Sequence, residues 1–112
     1  MDFSIIIPTF NEAENISLLI DKIRELFKPS DYTYEIIIVD AGSRDNTLQL
    51  AKDRGAQAFC QESPGYGGAL HDAIMRAKGG SIITMDADLS HNPYIIKRLL
   101  SQRHAAHIVI AS

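Results

Sequence analysis

Short apolar runs and amphipathic stretches alternate along the chain. Five short runs have the length of strands, and most of them are apolar and contain β-branched residues: residues 3–7, 34–39, 56–60, 81–85 and 106–111. Between the strands, apolar residues recur at helical spacing, most regularly at Ile16, Leu19, Ile20, Ile23, Leu26 and Phe27. The predicted order β-α-β-α-β-α-β-α-β is typical of a three-layer α/β/α fold, in which helices cover both faces of a mostly parallel sheet.

Local signals predict where several of these elements begin and end. Pro8 should end the first strand, and Asn11 should cap the next helix, with Glu12 in its first turn. Three glycines within residues 62–68 predict a loop before the third helix. The pattern of that helix turns four apolar side chains inward, namely Leu70, Ala73, Ile74 and Ala77.

Composition restricts the classes of protein that fit this pattern. The chain has 112 residues, 46% of them apolar, and a formal net charge of −3, which is typical of one small folded domain. The basic residues are scattered, so we expect no nucleic-acid partner, and no apolar stretch approaches the roughly 18 residues of a membrane span. Cys60 is the only cysteine, which excludes an internal disulfide and suits a reducing cytosol; we expect it in the core.

Acidic residues follow two of the predicted strands. Asp86 and Asp88, with one residue between them, follow the fourth strand, and Asp40 follows the second. In a parallel sheet these strand ends meet at one edge, which is where open α/β sheets bind ligands. Paired carboxylates suit a hard cation such as Mg²⁺ or Mn²⁺ that also binds substrate phosphates. The sequence therefore predicts a metal-diphosphate site.

The same residues also fit a plainer interpretation. Short Asp-x-Asp patterns are common by chance. Ser90 or Asn92 could cap a helix at about residues 93–100, which would leave the two aspartates in a solvated loop. The occurrence of acids on separate strand ends favours the metal-diphosphate site, but it leaves several α/β families open.

Three motifs resemble those of a known enzyme family. They are residues 4–16 (Ser-Ile-Ile-Ile-Pro-Thr-Phe-Asn-Glu-Ala-Glu-Asn-Ile), 37–45 (Ile-Ile-Val-Asp-Ala-Gly-Ser-Arg-Asp) and 85–91 (Met-Asp-Ala-Asp-Leu-Ser-His). In this order and spacing they resemble the family 2 glycosyltransferases, which have the Rossmann-like GT-A fold that binds nucleotide sugars. Within that family the resemblance is strongest to the polyprenyl- or dolichyl-phosphate mannosyl- and glucosyltransferases. It covers nearly the whole chain.

The resemblance implies which residues bind the nucleotide. Pro8, Phe10 and Glu12 match the loop that holds the base and the ribose, and Phe10 stands where many relatives have tyrosine. Asp40 matches an acid that hydrogen-bonds the base. Ala41 departs from the family pattern, because relatives usually have a second aspartate at this position.

The resemblance also implies a metal site. Asp86 and Asp88 match the motif that holds the ribose or sugar and a divalent cation, Mg²⁺ or Mn²⁺, against the diphosphate, so Asp86 belongs to both sites. Ser90 stands where some relatives have glutamine as a further metal ligand.

The reaction and the partners follow from the same resemblance. Such enzymes move a hexose from a nucleotide sugar, of the GDP-mannose or UDP-glucose type, to an acceptor and invert the anomeric centre. The acceptor expected here is a polyprenyl or dolichyl phosphate, which predicts a cytoplasmic protein at the cytoplasmic face of a membrane. The family's domain is longer than this chain. Residues 1–112 are therefore expected to be its N-terminal, donor-binding half, with the catalytic base outside them and an exposed sheet edge that favours a homodimer.

Three other interpretations remain open. A nucleotidyltransferase would have a glycine-rich basic loop where residues 8–11 stand, and a dinucleotide-binding Rossmann domain needs Gly-x-Gly-x-x-Gly there, although no glycine precedes Gly42. The third is a non-catalytic fragment that binds a nucleotide without transferring a sugar. Metal-dependent nucleotide affinity without turnover would favour this last interpretation.

Overall fold

The computed structural model describes residues 1–87 and the short strand Ile108–Ala111. The elements in these residues are β1 (Phe3–Thr9), α1 (Ile16–Phe27), β2 (Tyr34–Asp40), α2 (Thr47–Asp53), β3 (Gln57–Cys60), α3 (Gly65–Arg76), β4 (Ser81–Met85) and β5 (Ile108–Ala111). None of the described helices has the length and apolar character needed to cross a membrane. The helix predicted at about residues 93–100 lies outside the described residues.

All five strands are parallel and form one sheet in the order β3-β2-β1-β4-β5. The predicted α/β fold with a parallel sheet is therefore confirmed. The sheet grows from β1 to β2 and β3, and then on the other side of β1 to β4 and β5. The direction of growth reverses between β1 and β4. Open α/β sheets bind ligands at such a switch point, outside the carboxyl ends of the strands.

Helices cover both faces of the sheet, and β1 shows this most directly. Ile5 and Ile7 pack with α1 and α2 on one face, while Ile6 packs with Ala69 and Ala73 of α3 on the other. Successive side chains of a strand point to opposite faces, so the unbroken run of three isoleucines is fully buried. Burial on both faces is typical of a central parallel strand.

The prediction that Pro8 ends the first strand is wrong. β1 continues through Pro8 to Thr9, and both residues pair with β2. The carbonyl of Thr9 accepts the N–H of Ala41, so the backbone polar groups of Thr9 face β2 and those of Pro8 face the other side. On that side the pairing of β1 with β4 has already ended at Ile6. The N–H that proline lacks therefore falls beyond the paired part of the ladder.

The prediction that Asn11 caps the first helix is also wrong. α1 begins at Ile16, after a turn in which the N–H groups of Asn15 and Ile16 donate to the carbonyl of Glu12. Asn11 has a φ of +52°, a left-handed conformation that asparagine tolerates better than most residues. Its side-chain oxygen accepts a hydrogen bond from the N–H of Arg44, in the loop after β2.

The start of α3 also differs from the prediction. α3 begins at Gly65, so the predicted glycine loop forms the first turn of the helix instead. A Cβ on Gly68 would lie 2.6 Å from the backbone of Ser63, so the absence of a side chain lets the preceding segment pack against the helix.

Two side chains predicted to face the core are exposed. Ala69 and Ala73 turn toward the sheet, which leaves Ile74 on the outer side of α3. Cys60 is exposed because it is the last residue of β3, which lies at the edge of the sheet formed by the described strands.

Candidate functional site

An open cleft of about 580 Å³ lies at the carboxyl ends of the central strands. Its walls come from the end of β1 and the loop after it, from the residues after β2, β3 and β4, and from the start of α3. The lining residues are Pro8, Thr9, Phe10, Glu12, Ala41, Gln61, Gly65, Tyr66, Ala69, Asp86 and Ala87. The cleft thus lies at the switch point, where this class of sheet binds its ligands.

Most of the residues that the sequence marked as nucleotide-binding converge in this cleft. Pro8, Phe10, Glu12 and Asp86 line it. Asp40 is buried beside the cleft and is not among the lining residues. The other two predicted metal ligands, Asp88 and Ser90, lie outside the described residues.

Two exposed aromatic side chains line the cleft. Phe10, in the loop after β1, is 56% exposed, and Tyr66, in the first turn of α3, is 60% exposed. Aromatic rings offer faces on which a flat π system such as a nucleobase can stack. The pair therefore makes the cleft suitable for a flat, partly apolar ligand.

The carboxylate of Asp40 holds the loop that follows β2. The residue is only 1% exposed. Its Oδ1 accepts hydrogen bonds from the hydroxyls of Thr9 (2.7 Å) and Ser43 (2.6 Å), and its Oδ2 accepts from the N–H groups of Gly42 (3.0 Å) and Ser43 (2.6 Å). A carboxylate has about four lone-pair sites. A direct contact between Asp40 and a ligand would therefore replace one of these bonds.

Hydrogen bonds dock the loop after β1 onto the loop after β2. The N–H of Asn11 donates to Ser43 Oγ (2.7 Å), and the N–H of Glu12 donates to Thr47 Oγ1 (2.9 Å). The backbone of Glu12 is thereby fixed while its side chain lines the cleft. Glu12 precedes the first turn of α1, which begins at Ile16, so the helix dipole does not account for a glutamate at this position.

Asp45 anchors the same docking. Its carboxylate accepts hydrogen bonds from the hydroxyl and the N–H of Thr47, where α2 begins, and from the N–H of Ala13. The hydroxyl of Thr47 is the main cause that holds the pKa of Asp45 below its usual value, although desolvation acts in the opposite direction. A charged Asp45 thus links α2 to the loop that carries Glu12.

Sequence reasoning missed Gln61, which lines the cleft directly after β3. Its side-chain Nε2 donates to the carbonyls of Ser63 (2.8 Å) and Gly65 (3.1 Å), and its backbone N–H donates to the carbonyl of Asp40 (2.8 Å). A signal was present, because Gln61 is a polar residue that directly follows a predicted strand. The rule that identified Asp86 after the fourth strand identifies Gln61 after the third.

Asp72 of α3 holds the segment between β3 and the helix. Its carboxylate accepts hydrogen bonds from the N–H groups of Glu62 (2.6 Å) and Ser63 (2.9 Å) and from the hydroxyl of Ser63 (2.7 Å). These bonds, that of the Ser63 N–H above all, lower the pKa of Asp72 to about 2. Asp72 and Gln61 therefore both position this wall of the cleft.

Asp86 is the described cleft residue that best suits a divalent cation. It directly follows β4 and is half-buried. Within the described part of the chain, no group of three or more His, Cys, Asp or Glu side chains forms a metal site by itself. One or two carboxylates are enough for Mg²⁺ when substrate phosphates and water supply the other ligands. The residues present therefore fit a cation that binds together with a diphosphate.

Sequence comparison relates the chain to known transferases. The family model described as glycosyl transferase family 2 matches residues 4–112. The chain is 35% identical, over 116 positions, to the undecaprenyl-phosphate 4-deoxy-4-formamido-L-arabinose transferase of Pseudomonas fluorescens (strain SBW25). That match covers 97% of this chain and 34% of the relative, so the chain spans about a third of the relative's length.

Solved structures share the fold. The mannosyl-3-phosphoglycerate synthase of Rubrobacter xylanophilus is 27% identical with a TM-score of 0.73, and the match covers 79% of this chain and 31% of that one. The glucosyl-3-phosphoglycerate synthase of Mycobacterium tuberculosis, solved with Mn²⁺, UDP-glucose and phosphoglyceric acid, is 27% identical with a TM-score of 0.74. This second match covers 89% of this chain and 38% of the solved chain.

Proposed function

The chain belongs to glycosyl transferase family 2 and has the GT-A fold, and we propose that it forms the donor-binding part of an inverting glycosyltransferase. The donor is a nucleotide sugar of the UDP-glucose or GDP-mannose type, from which the enzyme transfers the hexose. The observation that carries this proposal is the convergence of Pro8, Phe10, Glu12 and Asp86 in one cleft at the switch point of the sheet.

The spacing of the strands supports one orientation of the donor. Neighbouring strands lie about 4.8 Å apart. Because β3 and β4 are three positions apart in the sheet, the two sides of the cleft are separated by about 14 Å, which suits the length of a nucleoside diphosphate. With the diphosphate beside Asp86, the base lies toward Ala41 and Gln61, which follow β2 and β3.

A divalent cation, Mg²⁺ or Mn²⁺, belongs to this proposal. Asp86 and Asp88 would hold it against the diphosphate, with Ser90 or a water as a further ligand. Such a cation offsets the negative charge that develops on the departing nucleoside diphosphate. Asp86 would thereby help to position the leaving group, and the Mn²⁺ in the solved M. tuberculosis relative supports the use of a divalent cation.

The side chains near β1 would hold the base and the ribose. Phe10 offers a ring for stacking, and Glu12 offers a carboxylate whose backbone is fixed by Thr47. A direct hydrogen bond donated by the base to Asp40 remains a proposal. The four bonds that Asp40 already accepts favour an indirect role, in which it shapes the loop that places Ala41 in the cleft.

The acceptor that we propose is a polyprenyl phosphate. The support is the P. fluorescens relative, which is named as an undecaprenyl-phosphate 4-deoxy-4-formamido-L-arabinose transferase. A lipid-linked acceptor would place the reaction at the cytoplasmic face of a membrane. A homodimer through an exposed edge of the sheet also remains a proposal, which light scattering tests.

Calorimetric titration of the chain tests donor binding. UDP-glucose, GDP-mannose, UDP and GDP are titrated with and without Mn²⁺ into the wild-type chain and the Asp86→Asn variant. We expect one nucleotide class to bind in a metal-dependent manner, and the variant to bind it at least about tenfold more weakly, because a carboxylate ligand is lost.

Asp53→Asn on α2 is the matched control, since Asp53 is exposed and, among the described residues, bonds only with Gln49 of the same helix. Equal loss of affinity in both variants, or no binding of any nucleotide, would overturn the proposal. Turnover with a polyprenyl phosphate is assayed in parallel. Binding without transfer would favour the second candidate, a chain that binds the donor and does not transfer it.

A further inference from the structure

The side-chain amide of Gln61 is held in one orientation. Its Nε2 donates to the carbonyl oxygens of Ser63 (2.8 Å) and Gly65 (3.1 Å). An amide nitrogen has two hydrogens to donate, and here both are used. Rotation of the amide by 180° would place Oε1 against two other acceptors. The position of Oε1 is therefore fixed by the segment that leads into α3.

The opposite side of this amide is open. Among the described residues no donor bonds to Gln61 Oε1. No buried side-chain nitrogen or oxygen in that part of the chain lacks a partner, so Oε1 must be accessible to solvent. Gln61 also lines the cleft. A fixed acceptor at the wall of a cleft is suited to select a ligand that presents a donor, because a ligand without one leaves a desolvated oxygen unpaired.

The surroundings of Gln61 favour an uncharged part of the ligand. Its backbone N–H donates to the carbonyl of Asp40, which places it beside Ala41, a lining residue that contributes only a methyl group. The described carboxylates of the cleft, Glu12 and Asp86, follow β1 and β4 on the other side. Gln61 therefore stands at the end of the cleft that lies farthest from the diphosphate.

We propose that Gln61 Oε1 accepts a hydrogen bond from a ring N–H of the donor's base, either N3–H of uracil or N1–H of guanine. This inference rests on the proposed function, which places the diphosphate at Asp86 and so directs the base toward β3. Cytosine and adenine carry a ring nitrogen with a lone pair at the corresponding edge, which would face the lone pairs of Oε1. Gln61 thus selects bases with a ring N–H.

The test compares nucleotides that differ only at this N–H. We titrate UDP and 3-methyl-UDP, with Mn²⁺, into the wild-type chain and into Gln61→Met. If GDP is the nucleotide that binds, the pair is GDP and 1-methyl-GDP. Methylation should weaken binding to the wild type about tenfold, and binding to Gln61→Met by less than about threefold, because the variant has no acceptor to lose. Gln61→Lys should behave like Gln61→Met, since it keeps donors for Ser63 and Gly65 but has no acceptor.

The lysine variant controls for a merely structural role of Gln61, because it keeps donors for the carbonyls of Ser63 and Gly65. Asp53→Asn, an exposed change on α2, controls for a non-specific effect, and its penalty for methylation should stay at about tenfold. An equal penalty in the wild type and both Gln61 variants would overturn the inference, and so would its loss in Asp53→Asn. If neither UDP nor GDP bound the wild type, the proposed function would fail as well. If UDP or GDP bound normally and methylation weakened binding equally in the wild type and the Gln61 variants, this inference alone would be overturned.

Discussion

The two ends of β2 carry two buried carboxylates with different consequences. At the carboxyl end, Asp40 bonds its own loop and the end of β1 beside the cleft. At the amino end, Glu35 is 8% exposed; its Oε2 accepts hydrogen bonds from Ser4 Oγ (2.6 Å) and the N–H of Lys78 (2.6 Å), and its Oε1 accepts from Gln57 Nε2 (2.6 Å). Both acids are thus buried and well bonded.

The partners of Glu35 join separate parts of the fold. Ser4 lies in β1, Gln57 in β3 and Lys78 between α3 and β4, and none of them lines the cleft. Burial raises the pKa of Glu35, but its hydrogen bonds, led by that from Ser4, outweigh this and hold the pKa below its usual value. Burial and hydrogen bonding therefore do not distinguish a ligand site in this fold, whereas position at the carboxyl edge does.

The largest effect on stability is expected from Glu35→Leu. The change leaves the N–H of Lys78 and the amide of Gln57 without their acceptor, and we expect the free energy of unfolding to fall by about 3 kcal/mol, measured by urea denaturation. Nucleotide affinity of the folded protein should not change. Glu25→Leu on the exposed side of α1 controls for the loss of a carboxylate. A clear loss of nucleotide affinity in folded Glu35→Leu would contradict the distinction between a structural amino end and a ligand-binding carboxyl end of the sheet.

Asp40→Asn should change both stability and affinity. An amide has one acceptor oxygen, so it cannot accept the four hydrogen bonds that Asp40 accepts. We expect a loss of about 2 kcal/mol in stability and about tenfold weaker nucleotide binding, because the loop that carries Ala41 is released. Ser43→Ala, which removes a hydroxyl from the same loop, should cause smaller changes of the same sign. Unaltered affinity in Asp40→Asn would show that this loop does not shape the site.

Two glycines, one at each end of the sheet, allow the two ends to be compared through their packing. A Cβ on Gly79 would lie 2.4 Å from the nitrogen of Ser4, and one on Gly68 would lie 2.6 Å from the backbone of Ser63. Alanine at either position should cost about 1–3 kcal/mol of stability, but only Gly68→Ala should weaken nucleotide binding. Gly67→Ala is the control, since a Cβ there would meet no atom within 4 Å among the described residues beyond its chain neighbours and its own helix backbone. It should be neutral or stabilising by up to about 1 kcal/mol. Weaker binding in Gly79→Ala would contradict this expectation.

The smallest effect on stability is expected from the titration of Asp72 in acid. Its pKa is lowered from 3.8 to about 2 in the folded chain. The unfolded chain therefore binds this proton more readily, so the stabilisation is complete above pH 3.8 and is lost as the pH falls toward about 2. Urea denaturation across this range should show a shallower loss of stability in Asp72→Asn than in the wild type. Identical pH dependence in the two proteins would refute this role of Asp72.

Local patterns were sufficient to predict the sheet and much of the cleft. The run of isoleucines at residues 5–7 predicts a strand buried on both faces because consecutive side chains of a strand point to opposite faces. Acids after parallel strands converge for a topological reason, which is why Asp86 and the loop of Glu12 were placed correctly in one cleft. The assignments of Asp88 and Ser90 stay predictions, since both lie outside the described residues.

The errors concern residues whose conformation depends on distant partners. Asn11 looks like a helix cap until Arg44, 33 residues away, supplies its hydrogen bond. The glycines at residues 65–68 look like a loop because glycine is conformationally free, whereas they form the first turn of α3, against which Ser63 packs at Gly68. The exposure of Cys60 follows from the strand order, which no local pattern contains.

The most direct test of the central claim maps the binding site on the two ends of the sheet. Backbone amide chemical shifts of the ¹⁵N-labelled chain are followed while UDP or GDP is added with Mg²⁺. We predict changes at residues 9–12, 41–43 and 61–66, and unaltered shifts at Glu35, Lys78 and Gly79. Changes confined to the amino end of the sheet, or no changes with either nucleotide, would contradict the claim that the cleft at the carboxyl edge binds the donor.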